Sequence, residues 1–109
     1  GITDATAGAG MPAGAYPLGR YTATKEGDVM RLADGRLAGS ALTMDSALKN
    51  LVALGLELDE AVRRLSSLPA ERLGRSDLGR IARDARADLV VLDDDLTVQR
   101  VVVGGHDAF

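Results

Sequence analysis

The run Gly1-Ile2-Thr3-Asp4-Ala5-Thr6-Ala7-Gly8 takes two β-formers directly into a carboxylate and then into small, flexible residues. That pattern predicts a short strand over residues 1–4 with Asp4 at its carboxyl end. Strand ends of that kind hold catalytic groups in α/β enzymes, because the strand fixes the backbone while the loop beyond leaves the side chain facing a pocket. A carboxylate there can accept and return a proton. Taken alone, the same residues also suit an Asx turn or a cap on a following turn. The other acidic cluster, Asp93-Asp94-Asp95, reads as a solvated turn between strands, since no glycine or further acid follows at calcium-loop spacing. With no cysteine and one histidine, His106, the chain by itself cannot assemble a thiolate or multi-imidazole metal site.

These residues sit in a chain whose composition narrows the choices. A length of 109 residues suits one modest domain, and 46% hydrophobic residues are ample for a core. The 13 basic and 16 acidic residues give a net charge of -3, so no basic excess is available to neutralise phosphates, and 3% aromatic residues leave few stacking platforms. Neither a nucleic acid nor an anionic membrane surface is therefore expected as a partner. The aliphatic runs Leu89–Leu92 and Val101–Val103 fall far below the ~18 residues of a membrane span. A reducing cytosol fits the absence of cysteine. With no initiator Met and no basic or apolar leader before a strand at the first residue, the chain is expected to be cut from something larger.

The elements that must position Asp4 follow in order. Glycine and proline density over residues 5–17 predicts an extended loop. Leu18–Thr24 and Asp28–Leu32 read as a hairpin around Lys25-Glu26-Gly27, and Ala33–Arg36 as a second turn leading to Leu37-Ala38-Gly39-Ser40. Met44, Leu48, Leu51 and Val52 fall on one helical face, with Thr43 as N-cap and Gly55 as stop. Leu58, Ala61, Val62 and Leu65 define a second helix ended by Pro69, which opens a short helix over residues 70–73 closed by Gly74. The last third predicts a turn into a short strand at residues 78–82, then strands over 87–92 and 97–103 before Gly104-Gly105.

Taken together, Ile2-Thr3-Asp4-Ala5, the glycine-rich loop, Leu37-Ala38-Gly39-Ser40-Ala41-Leu42-Thr43-Met44, Pro69-Ala70 to Leu73-Gly74, and Gly79-Arg80-Ile81 leading to Ala87-Asp88-Leu89-Val90 occur in one order. That order resembles the C-terminal portion of the N-acetylglucosamine-6-phosphate deacetylase family, in the amidohydrolase superfamily. The likeness covers nearly the whole chain, and the Leu-Ala-Gly-Ser-Ala-Leu-Thr-Met run is its most specific part.

The resemblance implies an α/β fold class: the C-terminal fragment of a metal-dependent (β/α) TIM-type barrel, comprising last strand, inserted hairpin and closing helices in residues 1–75. Residues 76–109 would be the terminal strands of a small β-sandwich domain. It implies that Asp4 takes a proton from the metal-activated water that attacks the acetamide carbonyl and hands it to the leaving amine. Leu37, Ala38 and Gly39 would contact the sugar, their small size letting backbone approach it. The divalent metal, zinc or iron, would be held by Glu and His residues of earlier strands, none of them in this chain, so the chain alone would be inactive. His106 matches no ligand of the family and reads as a surface residue. The implied partners are an N-acetylated amino-sugar phosphate, the remainder of the same enzyme and, in a homo-oligomer, copies of it, in the cytoplasm. Other readings are another amidohydrolase, dihydroorotase-like or an N-acyl amino acid hydrolase, or a non-catalytic interaction module.

Departures from the family pattern bear on local stability. Arg83-Asp84 replaces a frequent Pro-Gly, and Asp84 is expected to take the left-handed conformation there. Glu57 is a poor N-cap, and Leu68 stands where a polar residue often precedes the proline. The strand over residues 1–4, lacking its barrel neighbours, is expected to pair with another polypeptide or to fray.

Overall fold

A computed structural model describes residues 1–109 as two compact units, Ile2–Ala47 and Leu48–Phe109 with Gly1. The division falls inside a helix.

The first unit is an antiparallel sheet in the order β1 (Gly14–Leu18), β2 (Tyr21–Glu26), β3 (Val29–Leu32), β4 (Leu37–Ser40). Two-residue turns close its first two hairpins, with Leu18 opposite Tyr21 and Glu26 opposite Val29. Each turn has a glycine at its first central position, Gly19 at φ 59° and Gly27 at φ 61°, the arrangement whose twist matches the flanking strands. Alternation along the strands puts Ala23, Met30 and Ala38 on one face, where with Ala41 they form a buried core edged by Tyr16, Leu18 and Leu32. Met30, at 1% exposure, is the largest fully buried side chain.

β3 and β4 do not pair evenly. Val29 lies opposite Ser40 and Arg31 opposite Leu37, so two steps along β3 are matched by three along β4. The extra residue makes a bulge, and Gly39 at φ 73° supplies the left-handed backbone that such bulges use.

α1 (Met44–Ala53) starts in the first unit and ends in the second. It closes with Gly55 at φ 95°, where the Gly55 amide donates to Val52 O and the Leu56 amide to Leu51 O, the nested pair of a Schellman motif. α2 (Leu58–Leu65) follows Glu57, which offers no side-chain cap. α3 (Ser67–Arg72) ends in a second Schellman motif around Gly74, at φ 68°. Beyond it β5 (Leu89–Leu92), β6 (Val98–Val103) and β7 (His106–Asp107) form an antiparallel sheet in that order. Gly104 and Gly105, both at positive φ, join β6 to β7 as in a type I′ turn.

Several sequence expectations need correction. Residues 1–4 form no strand; the one pairing nearby is an isolated parallel bridge between Ala5 and Ser40. Ile2 and Thr3 have no ladder partner, so their β propensity finds nothing to pair with. The loop expected over residues 5–17 ends at Ala13, because Gly14 to Leu18 are β1; Pro17 is tolerated there because β1 is an edge strand. The single strand expected over residues 18–24 is broken by the turn at Gly19-Arg20, and Asp28 lies in a turn and not in β3. Leu37–Ser40 is β4, not merely a lead into the helix. α3 begins at Ser67, with Pro69 within its first turn, which needs no amide donor at that position. No strand forms over residues 78–82, where Ile81 is 91% exposed and unpaired. β7 was not expected. Asp84 does take φ 65°, as its place in the turn requires.

Candidate active site around Asp4

Asp4 and the Leu37–Gly39 segment, more than thirty residues apart in sequence, meet at β4 within the first unit. The Ser40 amide donates to Asp4 O at 2.8 Å, and Ser40 O accepts from the Thr6 amide at 2.9 Å. Thr6 Oγ1 donates to the same carbonyl at 3.2 Å. The Ser40 hydroxyl donates to Thr3 O and accepts from the Leu42 amide at 3.1 Å. Every polar group of Ser40 is thereby engaged, and three of its four bonds to residues 3–6 bracket Asp4 directly through the backbone of Thr3, Asp4 and Thr6.

Asp4 has φ 53°, in the left-handed region that only a few residue types tolerate. Its exposed carboxylate makes no hydrogen bond or ion pair within the chain, which leaves it available to a substrate or to water. Gly39 is what allows the approach. A Cβ there would lie 2.6 Å from Thr6 Cγ2, 2.9 Å from Asp4 O and 3.6 Å from Asp4 Oδ2, so any side chain would push the Asp4 segment off β4. Of the three residues expected to contact a sugar, Leu37 is 69% exposed, Gly39 is half-buried, and Ala38 turns its methyl into the core, leaving only its backbone for contact.

The remaining candidates lie elsewhere. Asp93 is engaged by its own turn: its carboxylate accepts from the Asp95 amide, the Thr97 amide and Gln99 Nε2, at 3.0, 2.8 and 2.8 Å. His106 is exposed on β7. No three His, Cys, Asp or Glu side chains converge anywhere as a metal would need, so the residues present do not fit a metal centre of their own. The groups that sequence reasoning passed over are Ser40 and Thr6. Two hydroxyl residues, Thr3 and Thr6, flanking Asp4 were a visible signal, but nothing local pointed to Ser40 as their partner.

Residues 22–107 match the Amidohydrolase family. The chain belongs to the amidohydrolase family. Among curated relatives of this amidohydrolase chain, the N-acetylgalactosamine-6-phosphate deacetylase of Escherichia coli O157:H7 is 42% identical over 107 residues, covering 96% of this chain and 28% of that protein. N-acetylglucosamine-6-phosphate deacetylase from Thermotoga maritima superposes with a TM-score of 0.89 at 38% identity, covering 99% of this chain and 30% of that one. The enzyme of that name from Mycobacterium smegmatis, an aspartate-to-alanine mutant in complex with N-acetyl-D-glucosamine-6-phosphate, superposes with a TM-score of 0.84 at 39% identity, covering 97% and 29%. The amidohydrolase chain thus spans less than a third of the length of each of these proteins. Its mixed α/β architecture with two antiparallel sheets matches the corresponding part of both deacetylase structures.

Proposed function

We propose that residues 1–109 are the C-terminal part of an enzyme that hydrolyses N-acetylglucosamine 6-phosphate to glucosamine 6-phosphate and acetate, with Asp4 as its general base and acid. In this reading residues 1–75 complete a TIM-type barrel and residues 76–109 a small β-sandwich. The observation that carries it is the meeting of a free, exposed carboxylate with the glycine bulge of β4, in a chain whose relatives are amino-sugar phosphate deacetylases.

The chemistry follows from Asp4's position. Water attacks the acetamide carbonyl carbon as the Asp4 carboxylate removes its proton; the tetrahedral intermediate then collapses, the C–N bond breaks, and Asp4 returns the proton to the departing amine nitrogen. General acid–base catalysis of this kind contributes about 10²–10⁴ in rate. The exposed Leu37 and the backbone of Ala38 and Gly39 would lie against the sugar, the missing side chain at Gly39 serving both the sugar and Asp4. The divalent metal, zinc or iron, that belongs to this reading has its ligands outside residues 1–109. So do the remaining substrate contacts. A cytoplasmic homo-oligomer is part of the same reading, and no helix here is long and apolar enough to cross a membrane.

The 42% identity to an N-acetylgalactosamine-6-phosphate deacetylase favours a second reading, in which the C4 epimer is the preferred sugar. Acetate release by the intact metal-loaded protein from each sugar phosphate distinguishes the two. Higher kcat/KM for N-acetylglucosamine 6-phosphate is expected, a reversed preference would favour the second reading, and no acetate from either would contradict both.

A further inference from the structure

Ser40 stands next to the candidate site without being part of it. Its half-buried side chain bonds the backbone of Thr3 and Leu42 and makes no hydrogen bond to the Asp4 carboxylate. Yet it binds that segment on both sides of Asp4: the hydroxyl to Thr3 O before it, the amide to Asp4's own carbonyl, and the carbonyl to the Thr6 amide and hydroxyl after it. Asp4 itself sits at φ 53°, a conformation that costs free energy in a residue with a side chain and persists only where its surroundings impose it. A single isolated bridge, Ala5 to Ser40, is all the regular pairing this segment has. Hydrophobic packing does not substitute, since Ile2 is 84% exposed and Ala5 is exposed too.

We propose that Ser40, through its hydroxyl bond to Thr3 O and its backbone bonds to Asp4 and Thr6, is a positioning residue that holds Asp4 in the left-handed conformation aiming its carboxylate at the reacting water. Thr6 Oγ1 reinforces the clasp from the far side, and Gly39 lets it close. The inference rests on Asp4 acting as general base. The Ser40 and Thr6 hydroxyls are the parts of the clasp that a substitution can remove while leaving the backbone bonds in place.

The test is steady-state kinetics on the intact metal-loaded protein with N-acetylglucosamine 6-phosphate, for Ser40→Ala, Ser40→Thr, Asp4→Asn and the double variant Asp4→Asn/Ser40→Ala. A misplacement of about 1 Å costs up to roughly 100-fold, so Ser40→Ala is expected to lose about 10- to 100-fold in kcat with KM nearly unchanged. Ser40→Thr, which keeps the hydroxyl, should recover most of that loss. In the Asp4→Asn background Ser40→Ala should cost little further, because the two act as one unit. A wild-type kcat in Ser40→Ala, the same loss in Ser40→Thr, or a full additional loss on top of Asp4→Asn would overturn the proposal. If Ser40→Ala does not fold, Thr6→Val decides. It removes one hydroxyl bond to Ser40 O at constant size, and a lower kcat with unchanged KM that vanishes in the Asp4→Asn background supports the clasp, whereas an unchanged kcat overturns it. Wild-type kcat in Asp4→Asn would overturn the general-base reading and this one with it, while an inactive Asp4→Asn beside a fully active Ser40→Ala overturns the clasp alone.

Discussion

The two sheets are stabilised in different ways. In β1–β4 the inward face is shut: Ala23 and Met30 are fully buried, Ala38 nearly so, and β4, which carries the candidate site, shares that core. In β5–β7 no residue is fully buried, and Val90 and Val91 are 57% and 49% exposed. There the shape comes from local polar chemistry. Asp93 satisfies its turn, Asp88 Oδ1 accepts from the Gly104 amide at 2.7 Å, and Arg100 pairs with Asp107 through two contacts, of 2.6 and 2.9 Å. Asp4, the proposed general base, is tied by hydrogen bonds to a strand of the packed sheet, whereas the second sheet relies on its turns and exposed ion pairs.

Breaking the packed side of that comparison should have the largest effect. Met30→Ala is expected to cost about 2–5 kcal/mol in urea denaturation, because it empties the one large, fully buried position. A cost of the size expected for Val91→Ala, which removes a half-exposed side chain, would mean that the first sheet is no better packed than the second. Gly8 sharpens the same point: a Cβ there would come within 2.7 Å of Met30 Sδ, so Gly8→Ala should destabilise wild type more than it does Met30→Ala.

Next in size are the helix stops. Gly55→Ala forces a Cβ into φ 95° and should cost about 1 kcal/mol, read as a lowered Tm. The smallest effect belongs to the exposed ion pairs. Arg75 holds the Asp77 carboxyl down from 3.8 to about 2, chiefly by the hydrogen bonds from its guanidinium at 2.8 and 2.7 Å. Because the folded value is depressed, the stability this pair contributes is present above pH 3.8 and is lost as pH falls from there to about 2. Arg75→Met should return the Asp77 midpoint toward its ordinary value in an NMR titration, while the stability at neutral pH changes little.

Helices were the most legible elements. α2 is bounded where its apolar spacing puts it, and Gly55 and Gly74 end α1 and α3 by the positive φ that their type permits. The strands were harder because their signals conflict. Gly14 and Pro17 look like loop residues, yet on an edge strand neither is forbidden. Gly39 hid β4, since a bulge uses the residue that normally argues against a strand. Ile2 and Thr3 erred in the other direction: β propensity alone makes no strand without a neighbour to pair with. Asp4 could be singled out from its own run, and Leu37–Gly39 from a family likeness. Their contact through Ser40 could not, because it depends on a tertiary pairing between segments 36 residues apart.

The most direct measurement is kcat of the Asp4→Asn variant of the intact metal-loaded protein at saturating N-acetylglucosamine 6-phosphate, with circular dichroism and metal content as controls. Asn keeps the size of Asp but cannot accept the proton, so kcat is expected to fall by about 10²–10⁴ while KM, metal content and spectrum stay near wild type. A variant that turns over at the wild-type rate would contradict the account, leaving Asp4 as a turn residue and nothing more.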